Sequence, residues 1–244
     1  IKEAIKMTAT WREGDVLMPG DILTDLAKSE ASGKTVLGPG LRQVLDTVSA
    51  TKPGVLKFKS PNIYWVDSHQ KRYVPVRGEN VIGIVTQKSG DVFKVDIGGS
   101  DLASLSYLAF EGATKRNRPN VVIGDIVYCK LLVANKDMEP EVVCIDSTGR
   151  SSGLGVIRDG GFLFHGTINL IRKLLSPEFT LLKELGNGMP YEIALGMNGR
   201  IWVKGRSSQE TIAIVNLISN SEYVSKSQVK PIVRHAMDTL SGFS

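Results

Sequence analysis

Cysteine, histidine and long apolar runs are scarce in this sequence. Only Cys129 and Cys144 occur in 244 residues, at a spacing that suits neither a paired-thiol redox motif nor a zinc site. Both fall in apolar, β-like stretches, where a small buried side chain is the expected role and a reducing compartment the expected setting. The longest apolar runs, such as Ile212 to Ile218, fall well short of the roughly 18 residues that a membrane-spanning helix needs, so no membrane partner is expected. Ile1 to Thr10 carries Lys2 and Lys6 but no apolar stretch or small-residue cleavage site, and no secretory signal is expected.

Catalytic groupings are equally sparse. There is no phosphate-binding P-loop, no H-E-x-x-H and no G-x-S-x-G, and His69, His165 and His235 lie far apart in the chain. Asp91, Asp96 and Asp101 recur across turn-forming sequence, which accounts for them without a metal. A nuclease or phosphorylase would need a carboxylate-held metal, a phosphate-cradling loop or an acid/base pair. Catalytic residues, metal and cofactor are therefore all expected to be absent.

What the chain does have is an uneven distribution of charge. The net charge is +5. Residues 1–78 carry 12 Lys and Arg against 8 Asp and Glu, residues 79–147 carry 7 against 10, and residues 148–244 carry 11 against 7. Within the acidic middle stands Thr114-Lys115-Arg116-Asn117-Arg118-Pro119, with three cations in four residues. It reads either as a solvated face or as a contact for a polyanion.

The length suggests two or three compact units. A flexible segment is expected at 1–14. Over 15–77, short apolar strands broken by Pro19-Gly20-Asp21, Gly38-Pro39-Gly40 and Pro53-Gly54 predict a small β-barrel or β-sandwich. Its last hairpin is read as Ile63 to Val66 with Arg72 to Val76. Tyr64, Trp65 and Tyr73 are candidates for base stacking or, more commonly, for core and interface packing. Over 78–147, strands near 81–86, 92–97, 103–108, 122–133 and 142–145 predict a five-stranded barrel of the OB type.

Helical periodicity first enters over 148–244, beyond the polar linker 147–153. Ile168, Ile171, Leu174 and Leu175 share a helical face that Pro177 ends. Strands are expected at 179–185, 191–195 and 200–204, followed by two helices with S-x-x-E/Q starts at Ser207 and Ser225. Pro231 would place the second start nearer Lys230. The fold class is thus mainly β followed by an α+β domain. Gly196-Met197-Asn198-Gly199 is the one G-x-x-G. In KH domains that pattern clamps an RNA backbone between two helices, whereas here it lies between two strands and reads as a structural turn.

Four strings carry a resemblance. They are Tyr64-Trp65-Val66-Asp67 with Lys71-Arg72-Tyr73-Val74-Pro75, the run from Leu105 to Pro119, the run from Ala134 to Glu141, and the run from Gly196 to Lys204. From about residue 16 to 240 the chain resembles the cap subunits of the RNA exosome, which join an N-terminal domain to S1 and KH domains. The resemblance implies an S1 domain at 78–147 and a KH-like domain at 148–244. It also implies an inactive subunit that sits with other cap subunits on a ring of ribonuclease PH-like proteins and passes RNA to a separate catalytic exoribonuclease. A nuclear and nucleolar location, with the cytoplasm as well, is implied too.

In that family the basic S1 loop faces the RNA path, which makes Lys115, Arg116 and Arg118 the leading RNA contacts, while the turn of Gly196, Asn198 and Gly199 is packed structurally. The chain departs from general S1 domains at Asp91-Val92-Phe93-Lys94-Val95, with lysine where an aromatic is expected. Lys94, with Lys88 near it, is accordingly expected to touch phosphate, and binding to single-stranded RNA is expected to be independent of sequence. Two other readings stand beside this one: a free-standing S1/KH adaptor, and a phosphorolytic nuclease, for which the chain has no catalytic domain.

Overall fold

A computed structural model describes residues 11–23, 35–135, 137–158 and 160–241, and the chain divides into two compact units, Ile1–His69 and Gln70–Ser244. Most of the segment expected to be flexible, residues 1–10, lies outside the described residues. Trp11 is described: it packs on the core of the first unit, and its indole N–H donates to the Ile22 carbonyl at 3.1 Å.

The first unit is built from β1 (Val16–Leu17), β2 (Val36–Leu37), β3 (Leu41–Val44), β4 (Thr47–Ala50), β5 (Gly54–Lys59) and β6 (Ile63–Asp67). They form a four-stranded sheet in the order β1-β5-β6-β2 and a separate β3–β4 hairpin. Leu17, Leu23, Val48, Ala50, Leu56 and Val66 make the core. The hairpin expected between 63–66 and 72–76 is not formed. β6 pairs antiparallel with β5, Leu56 opposite Val66, while residues 72–76 have no strand structure. Pro75 has no N–H to give to a ladder, and Tyr73 is buried in the core of the second unit, its hydroxyl donating to Glu79 at 2.7 Å.

The second unit opens with a barrel of β7 (Asn80–Ser89), β8 (Val92–Asp96), β9 (Ala103–Ser106), β10 (Ile126–Val133) and β11 (Glu141–Val143). Antiparallel pairings run β9-β8-β7-β10, and β11 closes the ring by pairing with both β10 and β9. Strict alternation drives this closure: Val127, Cys129 and Leu131 point inward from β10 and meet Val81, Val85, Phe93, Val95 and Leu105. The two cysteines are part of this core. Burial pushes the Cys144 thiol up to about 12 and that of Cys129 well above its ordinary value, so neither is a nucleophile at neutral pH. Beyond the polar stretch 147–153 the chain returns to the barrel, and β12 (Gly155–Ile157) covers the half of the β10 edge that β11 leaves free.

The remainder of this unit is an α+β layer of β13 (Phe162–His165), α1 (Ile168–Leu175), α2 (Leu181–Gly188), β14 (Glu192–Leu195), β15 (Arg200–Lys204), α3 (Ser208–Asn220) and α4 (Val229–Ser241). The sheet order is β13-β15-β14, all antiparallel. The helices bury Leu170, Ile171, Leu174, Leu185, Ile214, Ile218 and Val233 against Ile201 and Val203. One expected strand, 179–185, is instead the helix α2. Leu181 and Leu185 lie one turn apart and both are buried, and Leu, Lys and Glu are strong helix formers that a sheet does not favour. The expected caps form: Ser207 Oγ accepts from the Glu210 amide, and Ser225 and Gln228 make a capping box on a short 3-10 turn before α4. Pro231 falls in the first turn of α4, where its missing N–H costs no helical bond.

Candidate nucleic-acid interface

The basic loop between β9 and β10 is a closed turn. The Thr114 amide donates to the Asn117 carbonyl at 3.0 Å, the Asn117 amide donates back to Thr114 Oγ1 at 3.0 Å, and the Asn117 side chain reaches the Gly112 carbonyl at 3.3 Å. Lys115 and Arg116 occupy the two central positions. Both are exposed, and neither makes an ion pair among the described residues. Arg118 differs. Its guanidinium lies 3.0 Å from Asp91, in the turn between β7 and β8, and 4.8 Å from the centre of the buried Tyr107 ring. An exposed pair of this kind is worth about 0–1 kcal/mol, so a phosphate can displace Asp91, but it meets competition that Lys115 and Arg116 do not impose.

The two other predicted contacts lie on the barrel wall. Lys94 projects outward from β8 between the buried Phe93 and Val95 and pairs with Glu139, from the loop joining β10 to β11. Lys88 lies 5.5 Å from the centre of the Phe93 ring. OB folds commonly bind oligonucleotides on their second and third strands and the adjoining loops. Here the residues of β8 and β9 that alternate with the buried ones are Val92, Lys94, Asp96, Ser104 and Ser106, with no aromatic among them. Such a wall can neutralise phosphate but has no ring for a base to stack on.

The G-x-N-G turn joins β14 to β15 and faces the barrel. Asn198 donates to the carbonyls of Ile82 and Ile97, both at 2.8 Å, and accepts from the Ile82 amide at 3.3 Å. A side chain on Gly196 would meet the Ile82 nitrogen at 2.7 Å. Gly199, at φ +84°, packs against the Gly166 carbonyl. The turn is therefore a wedge between barrel and α+β layer, with its polar groups consumed. Arg200 beside it is the residue the sequence reading missed. It is 6% exposed, donates from Nη2 to Asp96 Oδ2 at 2.6 Å and from Nη1 to the Ile82 and Asp96 carbonyls, and nothing in its neighbourhood in sequence advertises this.

The position at which a KH module would clamp a backbone is the α1–α2 junction. It reads Ser176-Pro177-Glu178-Phe179-Thr180, without glycine, and Glu178 is paired with Lys226. A carboxylate there opposes phosphate. No cluster of three or more His, Cys, Asp or Glu suited to a metal ion occurs among the described residues.

Three family models match the chain: the S1 domain of exosome complex component RRP40 over residues 73–155, a KH domain over 161–209, and the N-terminal domain of the mammalian exosome complex component RRP40 over 14–69. The exosome complex component RRP40 of Bos taurus is 57% identical over 212 residues, covering 84% of this chain and 77% of the relative. That of Homo sapiens is 50% identical over 244 residues, covering 90% of this chain and 89% of the relative. A crystal structure described as an exosome complex RNA-binding protein shares the fold with a TM-score of 0.58 and 22% identity, over 71% of this chain and all of the other.

Proposed function

The chain belongs to the RRP40 family of exosome components, and from that premise we propose that it is a non-catalytic cap subunit that guides single-stranded RNA toward a separate 3'-5' exoribonuclease. Its proposed neighbours are a ring of ribonuclease PH-like subunits, which it stabilises, and the other cap subunits. Its proposed work is ribosomal RNA processing and RNA turnover in the nucleus and nucleolus, and in the cytoplasm as well. The observation that carries the RNA part is the closed Thr114–Asn117 turn, which holds out two cations, without an ion pair among the described residues, on an otherwise acidic segment. Order without base-reading groups favours contact with phosphate, and phosphate contacts position a strand without reading its sequence.

The test is a salt titration of RNA binding by the assembled complex. Replacing Lys115 and Arg116 together by alanine is expected to weaken capture and to make the dependence of log affinity on log salt shallower by about 1.4, the loss of two single-strand phosphate contacts. Assembly and melting temperature should not change. Arg118→Ala should weaken capture less, because Asp91 already holds part of its charge. An unchanged slope in the double variant would remove the turn from the RNA path. Shortening of labelled RNA by the isolated chain with magnesium and phosphate would overturn the non-catalytic reading.

A further inference from the structure

We propose that the α+β layer carries a second contact for single-stranded RNA: a hollow in which Phe162 takes a base while Lys204 and Arg206 hold the flanking phosphates. This rests on the RNA-guiding reading above but uses none of the residues of the basic turn.

The hollow has a volume of about 400 Å³ and is lined by Gly161, Phe162, Lys204, Arg206, Thr211 and Ile212, among others. That is room enough for a nucleotide-sized ligand. Phe162 begins the edge strand β13 and is 54% exposed, next to Ile212 at 61%. Its setting is rigid. The Trp202 indole donates to the Gly160 carbonyl at 3.1 Å, a side chain on Gly161 would strike the Trp202 ring at 2.8 Å, and the Phe162 ring lies 20° from parallel with Phe164. An exposed aromatic held in place offers stacking without an ordering cost, and stacking tolerates any base.

Charge selects the ligand class. Among the described residues, the lining contains two cations and no carboxylate. Three other basic side chains of this layer are paired with carboxylates: Lys226 with Glu178, Lys230 with Glu184 at 3.7 Å, Arg200 with Asp96. Lys204 and Arg206 make no ion pair among the described residues. Glu210, close in sequence, turns its carboxylate to the Arg206 amide at 3.0 Å. A second hollow of about 390 Å³, lined by Pro190, Tyr191 and Glu192, flanks the same two cations, but Glu192 lies opposite Lys204 across the β14–β15 pair and its carboxylate opposes phosphate on that side. A strand crossing Lys204 and Arg206 is thus steered to the Phe162 side. A polyanion with flat apolar faces matches this arrangement better than an acidic peptide, which would leave Phe162 uncovered.

The experiment uses the full chain and a fluorescent oligouridylate containing 4-thiouridine, read by anisotropy across a salt series and by mapping of photo-cross-links. Cross-links are expected at a peptide containing Phe162 as well as at the basic turn. Phe162→Ala should weaken binding about fivefold or more with the salt slope unchanged, Phe162→Tyr should retain it, and Lys204→Ala with Arg206→Ala should flatten the slope by about 1.4. Unchanged melting temperatures would show that these exposed positions report on binding and not on folding. Cross-links confined to residues 112–118, with wild-type affinity in all three variants, would overturn the second contact and leave the RNA reading intact. Wild-type RNA affinity with loss of a protein from the purified complex would reassign the hollow to that protein. Absence of RNA binding by the unmodified chain would bring down the reading on which both contacts rest.

Discussion

Arg200 is enclosed on every side, yet its charge is neutralised by one carboxylate and its N–H groups are spent on backbone carbonyls of the neighbouring barrel. Truncating it strips the Asp96 carboxylate of its guanidinium and takes a donor from the Ile82 and Asp96 carbonyls, of which Ile82 keeps Asn198, so Arg200→Met should destabilise the second unit by about 2–3 kcal/mol in urea unfolding. The pH profile should change as well. Burial works to raise the Asp96 carboxyl, but the Gly98 amide and the Arg200 guanidinium outweigh it and hold the group below its ordinary value of 3.8. A depressed carboxyl contributes stability that is present above 3.8 and is lost as the pH falls through its lower folded value. In Arg200→Met this acid-side loss should be smaller, and an identical acid limb would exclude the pair as its source. None of this could be read from the residue's neighbours in sequence. The partners of Arg200 lie more than 100 positions away, as Glu139 lies 45 from Lys94, and only barrel closure brings them together.

Among the elements, α3 ends in a 3-10 turn over Ser221–Tyr223, in which the Val224 amide donates to the Ser221 carbonyl at 3.2 Å. Lys173 of α1 donates to the carbonyls of Ser221, Glu222 and Val224 at 2.9, 2.7 and 2.7 Å and stands 4.6 Å from the centre of the Phe179 ring. Lys173→Met keeps the aliphatic length but removes the donor. It should cost about 2 kcal/mol and speed amide hydrogen exchange around 221–228 more than in the barrel. Uniform acceleration would argue against a local role. The same scale shows what was legible. Period-two alternation marked the barrel strands closely, and serine followed three residues later by Glu or Gln marked both late helix starts. α2 was not legible because Phe179 to Leu185 packs apolar residues so densely that both periods fit, and tertiary packing decided between them. Residues 72–76 misled for the opposite reason: β-branched and aromatic residues were present, but Pro75 and the capture of Tyr73 by the barrel core kept them out of a ladder.

At the scale of the molecule, the second unit is one body despite its two architectures. Ile168 belongs to the barrel core, Met197 packs against both cores, the Met197 amide donates to the Asn80 carbonyl at 2.8 Å, and the Tyr128 hydroxyl reaches the Leu195 carbonyl at 3.4 Å. The general class, β followed by α+β, was readable from punctuation and periodicity, and the G-x-N-G string was readable as a turn. That the turn is inserted into the barrel was not, since a half-buried asparagine bonded to its neighbours and a solvated one look alike on paper.

Fusion of the two layers through Asn198 and Arg200 turns this body into a ruler. The Lys115–Arg116 tip and the Phe162 hollow belong to the same compact unit, so if both hold RNA as proposed, an oligonucleotide too short to reach from one to the other holds only one end. Once the span is reached, the second grip becomes intramolecular. Affinity plotted against strand length should then rise in a single step and not as a smooth slope, and the length at the step would measure the molecule.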